Sequence, residues 1–590
     1  MCGIAGIIGD YKEANLDIML SSQHHRGPDF TGKYKDEGFA VLGHNRLAII
    51  DLSSQSNQPF KDNSGRYILI FNGEIYNYLE IRKTLQYQYD FKTESDTEVL
   101  MAAFIVYGVA CLHKLNGMFA FAIWDNQTKT LFAARDRFGV KPFYYSINNN
   151  SFYFSSEIKA LHVTGIEKNP NEKVWASYFA FGTYGMPDET FWEGISQLPG
   201  GHFLEFKHHQ VIIQKWYCFE DEVAKQPKNL SFEQAKKHYI ALLKDSINLR
   251  FRADVPVGFT ISGGLDSSVL LAMVNLQITS KSNEKCDNEI QQVQNENSIA
   301  LQAIKAYTFY TNNSDYDELP WVEKMLVTTH NPLEKVLLQA NEVPYLVEKM
   351  SLQQDEPYGG IPTLAYAKIF EQARIDKVLV LLDGQGMDEQ WAGYDYYTQE
   401  NEAILQGVTG SPYKTAMLSN SFLAKAIKPN YPKPFEDEVL NKQYRDLFYT
   451  KIPRALRFND RISMLHSTEL REPFLDYRLV EFAFSLPLDF KIRNGQSKYM
   501  LREIALEYLT SDLVFAPKRA LQTPQREWLS EDLSAWVSQC FDGIEISSCS
   551  EWFSSKELQK ELQLYLNGNC QSSFHIWQCI SLYELLKVKV

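Results

Sequence analysis

The run Pro256-Val257-Gly258-Phe259-Thr260-Ile261-Ser262-Gly263-Gly264-Leu265-Asp266-Ser267-Ser268 decides how the larger part of the chain folds. Its first six residues have the β-branched and aromatic character of a short buried strand. The pair Gly263-Gly264 then allows a sharp turn, and the apolar stretch Ser268 to Asn275 reads as a helix. A strand that enters a helix through small residues aims successive N–H groups and the helix N-terminus at one point, where an anion is held. The hydroxyls of Ser262 and Ser267 add donors, and Asp266 is placed to hold a magnesium ion. No Lys stands beside Ser or Thr as a Walker loop requires, so this is a different phosphate cradle.

Outward from that run, candidate strands at Ala303 to Tyr310 and Val378 to Leu382 alternate with helical pattern, including Phe232 to Arg250. Such alternation indicates a parallel sheet with crossover helices. A second turn, Leu382-Asp383-Gly384-Gln385-Gly386-Met387-Asp388-Glu389, presents a carboxylate beside the first loop, positioned to share a metal with Asp266. Ligands bind at the carboxyl ends of such strands. The polar stretch Gln277 to Ser298 reads as an exposed insertion, and the chain after about residue 400 is predominantly helical.

The first two hundred residues are mainly short strands and turns. Gly3 to Ile8, Arg46 to Asp51 and Arg66 to Phe71 are candidate strands, the last closed by the turn former Asn72-Gly73. Phe119 to Trp124 and Leu131 to Ala134 flank Asp125-Asn126 as a hairpin. Helical pattern occupies Ile75 to Leu85 and Ser95 to Val106. Together these predict an α+β domain with two sheets packed face to face between helices. Ahead of it, Met1-Cys2-Gly3 puts a thiol where removal of Met1 leaves nucleophile and α-amine on one residue. An α-amine titrates near about 7.7–8.0 and a thiol near about 8.5, so proton exchange between them is nearly thermoneutral.

The 590 residues, 45% of them hydrophobic and 13% aromatic, suffice for several buried cores. A net charge of −14 leaves no cationic surplus to meet phosphates, which argues against a nucleic-acid binder. No charge-free run of membrane-spanning length and no secretory signal are read, so the expected compartment is the cytoplasm, without membrane attachment. Eight cysteines without a Cys-x-x-Cys pair suit reduced thiols rather than a disulfide framework or a zinc site.

Cys2 and Ser262 to Ser267, in that order and separation, resemble the glutamine-dependent asparagine synthetase family. The resemblance extends to His25-Arg26-Gly27-Pro28-Asp29, Gly43 to Leu47, Phe71 to Asn77, Glu94 to Glu98, Ala134 to Gly139, Glu469 to Asp476 and Pro517-Lys518-Arg519. It implies a glutamine amidotransferase domain over 2–210, an αββα sandwich of the N-terminal nucleophile type. An α/β parallel-sheet, ATP-dependent synthetase domain with a helical C-terminal part follows over 230–590. By the same resemblance Cys2 attacks the glutamine amide, Asn72 and Gly73 stabilise the oxyanion, and Arg46, Glu74 and Asp96 hold the glutamine backbone. Ser262, Gly263, Gly264, Leu265, Asp266, Ser267, Phe309, Asp383, Gly384 and Lys518 are implied for ATP, and Asp266 with Asp388 for Mg2+. The implied reaction forms AMP and pyrophosphate, amidating aspartate; the partners are glutamine, ATP and that acceptor, with room for a homodimer. One position departs from the family pattern: Gln385 stands where most members carry Glu. That substitution opens a second expectation, amidation of another carboxylate such as a uronic acid of a surface polysaccharide.

Overall fold

The computed structural model describes residues 2–286, 304–398, 411–516, 522–569 and 572–587. Its first half is built from β1 (Gly3–Ile8), β2 (Phe30–Asp36), β3 (Ala40–Arg46), β4 (Phe60–Lys61), β5 (Tyr67–Ile75) and β6 (Gly117–Asp125). β7 (Thr130–Arg135), β8 (Tyr144–Asn148), β9 (Ser151–Ser155), β10 (Ser196–Gln197), β11 (His202–Lys207) and β12 (Gln210–Lys215) complete it. One antiparallel sheet has the order β10-β8-β9-β1-β3-β2 and the other β12-β11-β7-β6-β5-β4. Successive side chains on a strand point to opposite faces, and here that alternation sorts two cores. Ile4, Ile8, Ile68 and Ile70 meet between the sheets. Their neighbours Ala5 and Ile7 pack with Leu16 and Met19 of helix α1 (Glu13–Ser22). On the other outer face Leu69 and Phe71 pack with Val99 and Ala103 of α2 (Asp96–Tyr107). The layers are therefore helix, sheet, sheet, helix, as expected.

Two local expectations are corrected. Arg46 to Asp51 is not a strand: β3 ends at Arg46 and the chain leaves the sheet as a loop. Asn72-Gly73 is no turn either, because β5 runs through it to Ile75 with Asn72 opposite Ala120 and Gly73 opposite Phe119. The long β6 partner supplies the ladder that overrides the local turn preference of Asn-Gly. The apolar span Asp96–Lys114, α2 with the turns that follow it, is long and apolar enough by composition to cross a bilayer. In this fold its apolar face covers the second sheet.

The second half holds a parallel sheet in the order β15-β14-β13-β16-β17. Its strands are β13 (Val257–Thr260), β14 (Ala306–Tyr310), β15 (Leu333–Leu337), β16 (Val380–Leu382) and β17 (Glu469–Arg471). The chain enters at β13, builds outward through β14 and β15, then returns to add β16 and β17 on the other side. The strand order therefore reverses between β13 and β16, the place where α/β sheets open a crevice for ligands. Helix α3 (Phe232–Arg250) matches its expected limits and begins with a capping box at Ser231 and Gln234. Helix α4 (Leu265–Cys286) starts three residues before the expected Ser268, so Asp266 stands in its first turn. It also carries the backbone into the stretch expected to be an insertion; residues 287–303 lie outside the described residues. Beyond 411 the described chain is mostly helical, including α5 (Lys451–Leu465).

The two halves share buried surface. Trp175 and Phe179 pack with Phe422 and Trp552. Arg26 forks onto Asp460 of α5 at 2.9 and 3.1 Å, with both residues buried.

Candidate active sites

The first site forms where β1, β3 and β5 meet. Cys2 is buried, its Sγ 3.9 Å from the Leu47 carbonyl oxygen. Burial pushes its thiol pKa up, opposed by the charge of the nearby chain terminus, the Leu47 contact and Arg46. The Cys2 N–H donates to Asn72 Oδ1 at 3.0 Å, and Arg26 Nε donates to the Cys2 carbonyl at 3.0 Å. Anchoring Oδ1 in this way fixes the Asn72 amide, and its buried Nδ2 has no hydrogen-bond partner among the described residues. An orphaned buried donor is costly unless something comes to accept from it. Gly73 beside it has φ +153°, and a Cβ there would lie 2.0 Å from the Met118 carbonyl oxygen. Only glycine fits, whatever the site does.

Carboxylates close the far side. Asp96 Oδ2 accepts from the Ile75 N–H at 2.9 Å, and burial raises its pKa to about 6. Glu74 is raised well above the usual carboxylate range, first by burial and then by Glu469 and Asp96. Its Oε2 lies 3.7 Å from Nη2 of the buried Arg471. Burial opposes ionisation of Glu469 as well, but Arg471 at 2.5 Å holds its pKa down to about 2. Arg46, by contrast, braces the adjoining loop: Nη1 donates to the Ser53 carbonyl at 2.7 Å and to Asn57 Oδ1 at 2.8 Å, and Nη2 donates to the Asp51 carbonyl.

The second site lies at the reversal of the parallel sheet, in a cavity of about 330 Å³. Ser262 to Ser267 line one wall, and Asp383, Gly384, Gln385 and Asp388 another. Gly263 at φ +69° makes the turn into α4. The Ser262 and Ser267 hydroxyls are 3.3 Å apart, and a Cβ on Gly384 would lie 3.2 Å from the Ser267 nitrogen. The two loops thus converge as expected. Asp266 and Asp388 meet on the ammonium of Lys498, at 2.6 and 2.7 Å. Those carboxylates hold the Lys498 pKa above the usual lysine range, although burial opposes it. Among the described residues no third His, Cys, Asp or Glu joins them in a metal-binding group. Two carboxylates aimed at one point beside a glycine-rich strand-to-helix turn are nonetheless oxygen donors of the kind that Mg2+ takes. Burial lifts Asp383 to about 6.

Phe309 stands apart from that cavity, at the end of β14 in a smaller pocket with Ser262 and Tyr366. Lys518 lies outside the described residues. Three residues of these sites receive no role from the sequence: Arg26, which stands in a segment that carries the resemblance, Asp460 and Lys498. Each is an ordinary charged residue by composition, and only the fold brings Lys498 from its place ahead of Tyr499 to Asp266.

Compared with known proteins, residues 1–217 match the glutamine amidotransferase domain family and residues 238–587 match the asparagine synthase family. The chain is 29% identical over 568 residues to asparagine synthetase [glutamine-hydrolyzing] 3 of Bacillus subtilis (strain 168), covering 91% of this chain and 89% of that protein. It is 28% identical over 593 residues to the synthetase numbered 1 of the same organism, again covering 91% and 89%. It is also 27% identical over 632 residues to a Gibberella zeae protein named amidase chry2, covering 91% of each. The asparagine synthase match spans more than half of the 590 residues, and the chain belongs to the asparagine synthase family, with a glutamine amidotransferase domain ahead of the synthase part.

Proposed function

We propose that this chain moves the amide nitrogen of glutamine to a carboxylate activated with ATP, and that the acceptor is aspartate. After removal of Met1, the Cys2 α-amine takes the thiol proton and the thiolate attacks the glutamine side-chain carbonyl. Asn72 Nδ2 and the Gly73 N–H receive the negative oxygen. The Cys2 α-ammonium gives its proton to the amide nitrogen as the C–N bond breaks, ammonia leaves, and water then hydrolyses the thioester to glutamate. Asp96 and Glu74 accept from the glutamine α-ammonium. Arg46 supplies positive charge for the α-carboxylate while it braces the loop 51–57.

In the second site a carboxylate oxygen of the acceptor attacks the α-phosphorus of ATP, and pyrophosphate leaves. Ammonia attacks the acyl carbon of the resulting adenylate and AMP departs with the bonding pair. Backbone N–H groups of Ser262 to Ser267 cradle the leaving phosphates. Asp266 and Asp388 would hold Mg2+, which supplies charge neutralisation to the phosphates when bound. Lys498 keeps those two carboxylates from repelling one another, and Lys518 is assigned to the charge on the adenylate.

The observation that carries this reading is the orphaned Asn72 amide fixed against Cys2, in a chain that also converges Asp266 and Asp388 at a sheet reversal. One feature favours a second acceptor. Gln385 lines the nucleotide cavity where a Glu would bring negative charge or a base. A uronic acid is the alternative it supports. Offering the purified enzyme aspartate or uronates, with AMP and product mass as readouts, separates the two. Aspartate should give AMP and a product one mass unit lighter than the acid; no AMP with aspartate ends the leading reading.

A further inference from the structure

Between the two halves of the molecule lies another cavity, of about 320 Å³. It shares no lining residue with the nucleotide cavity, and neither Cys2, Asn72 nor Asp96 lies in its wall. A passage between the two sites would have to reach both, and this cavity reaches neither. Its size is that of small-ligand pockets, which begin at about 300 Å³.

Charge and hydrogen bonding say what it takes. Arg135 and Arg137 stand on one side and Arg457 and Arg461 on the other, with only Asp188 and Asp460 as acids in the wall. Asp460 is already committed to Arg26. Arg135 is satisfied by backbone carbonyls, including that of Leu198 at 2.7 Å. Arg461, 1% exposed, is satisfied only in part: its Nη1 pairs with Glu157 at 3.2 Å and donates to the Ser156 carbonyl at 3.0 Å, while its Nε and Nη2 make no hydrogen bond among the described residues, Nη2 lying 3.6 Å from Asp355. The Nε atoms of Arg137 and Arg457 are likewise without an acceptor among the described residues. Buried guanidinium donors left open are stabilised most by an anionic acceptor. The remaining wall combines prolines and small residues with aromatic rings, Tyr144 lying 5.2 Å under the Arg461 guanidinium and Phe138, Tyr217 and Tyr449 also in the lining. Flat rings stack on such faces.

We propose that this interdomain cavity binds a small organic anion with a flat aromatic body, and that its occupant adjusts the coupling of the two active sites. The coupling element is α5. Arg457 and Arg461 face the interdomain cavity, while Ala455, Phe458 and Asn459 of the same helix line the nucleotide cavity. Asp460 between them holds Arg26, whose Nε holds the Cys2 carbonyl. A ligand that draws Arg457 and Arg461 toward itself therefore biases a helix in contact with both reactions.

The test uses the full chain and the fluorescent aromatic sulfonate 1-anilinonaphthalene-8-sulfonate. Titration at saturating ATP should show one saturable site. Arg457→Met should raise its Kd at least ten-fold. So should Lys215→Glu, a change on a lining side chain that is 44% exposed, for which fold and basal rates are expected to stay as in the parent. Saturation should change glutamine hydrolysed per AMP formed at least two-fold, and Lys215→Glu should lose that response. Displacement of the probe by ATP, a Kd unchanged in both variants, or a ratio indifferent to saturation overturns the proposal. The binding arm stands whatever the acceptor, and only the ratio rests on the proposed reaction.

Discussion

Cys2 sits where burial opposes its own ionisation, which favours an adjacent base over one in solvent. In the proposed reaction the α-amine of the same residue, freed by removal of Met1, meets that need. Cys2→Ala should abolish glutamine-driven amidation and spare amidation driven by added ammonium, whereas Asp266→Ala should stop both; amide product measured with each donor checks this. Asp96 gives a pH signature. Its carboxyl titrates at about 6, lifted by burial, and only the ionised form attracts an ammonium. The KM for glutamine should therefore rise as pH falls through 6, and Asp96→Asn should be flat at the high value. Cys2 and the Ser262 loop are picked out by local sequence, whereas Asn72 enters the site only through the family resemblance. Asn72 was read as part of a turn, although it lies in a strand, since nothing local announces the long partner β6. Lys498 was illegible: its role exists only after the chain folds it back 232 positions onto Asp266.

Between β13 and α4, the backbone does the work that side chains do elsewhere. Gly263 at φ +69° would place a Cβ 2.9 Å from Trp321 Cβ, and a left-handed residue with a side chain costs about 1–2 kcal/mol. Gly263→Ala should raise the KM for ATP at least ten-fold in AMP-release assays while leaving glutamine hydrolysis unchanged. The strand and helix order of this part was legible from the alternation of apolar runs and turns, and α3 was read to its limits. The start of α4 was not, because Leu265-Asp266-Ser267 has turn-like composition, and only the first helical hydrogen bonds, such as Ser268 N–H to the Gly264 carbonyl at 3.1 Å, decide it.

Across the whole molecule, charge buried between the halves does what no single element can. Arg26, Glu157, Asp460 and Arg461 are buried together, and Arg26 pairs with both Glu157 and Asp460 at 2.9 Å. Removing one partner of such a pair costs about 3–5 kcal/mol, because it strands a charge in a poor solvent. Asp460→Asn should lower unfolding stability by that order in urea titrations and slow glutamine hydrolysis, since Arg26 also holds the Cys2 carbonyl. This interface was not legible in the sequence: its members lie 434 positions apart, and each alone reads as a surface charge.

The proposed reaction has a direct consequence for the nitrogen. Ammonia that passes within the molecule does not mix with ammonium outside it. The decisive measurement supplies glutamine labelled with 15N in the amide, together with MgATP, aspartate and excess unlabelled ammonium near neutral pH, and weighs the amide product. The expected result is a product whose 15N fraction far exceeds that of the bulk ammonium, with AMP formed in equal amount. A product carrying the isotope ratio of the bulk ammonium, or nucleotide released as ADP, contradicts internal transfer to an adenylated carboxylate.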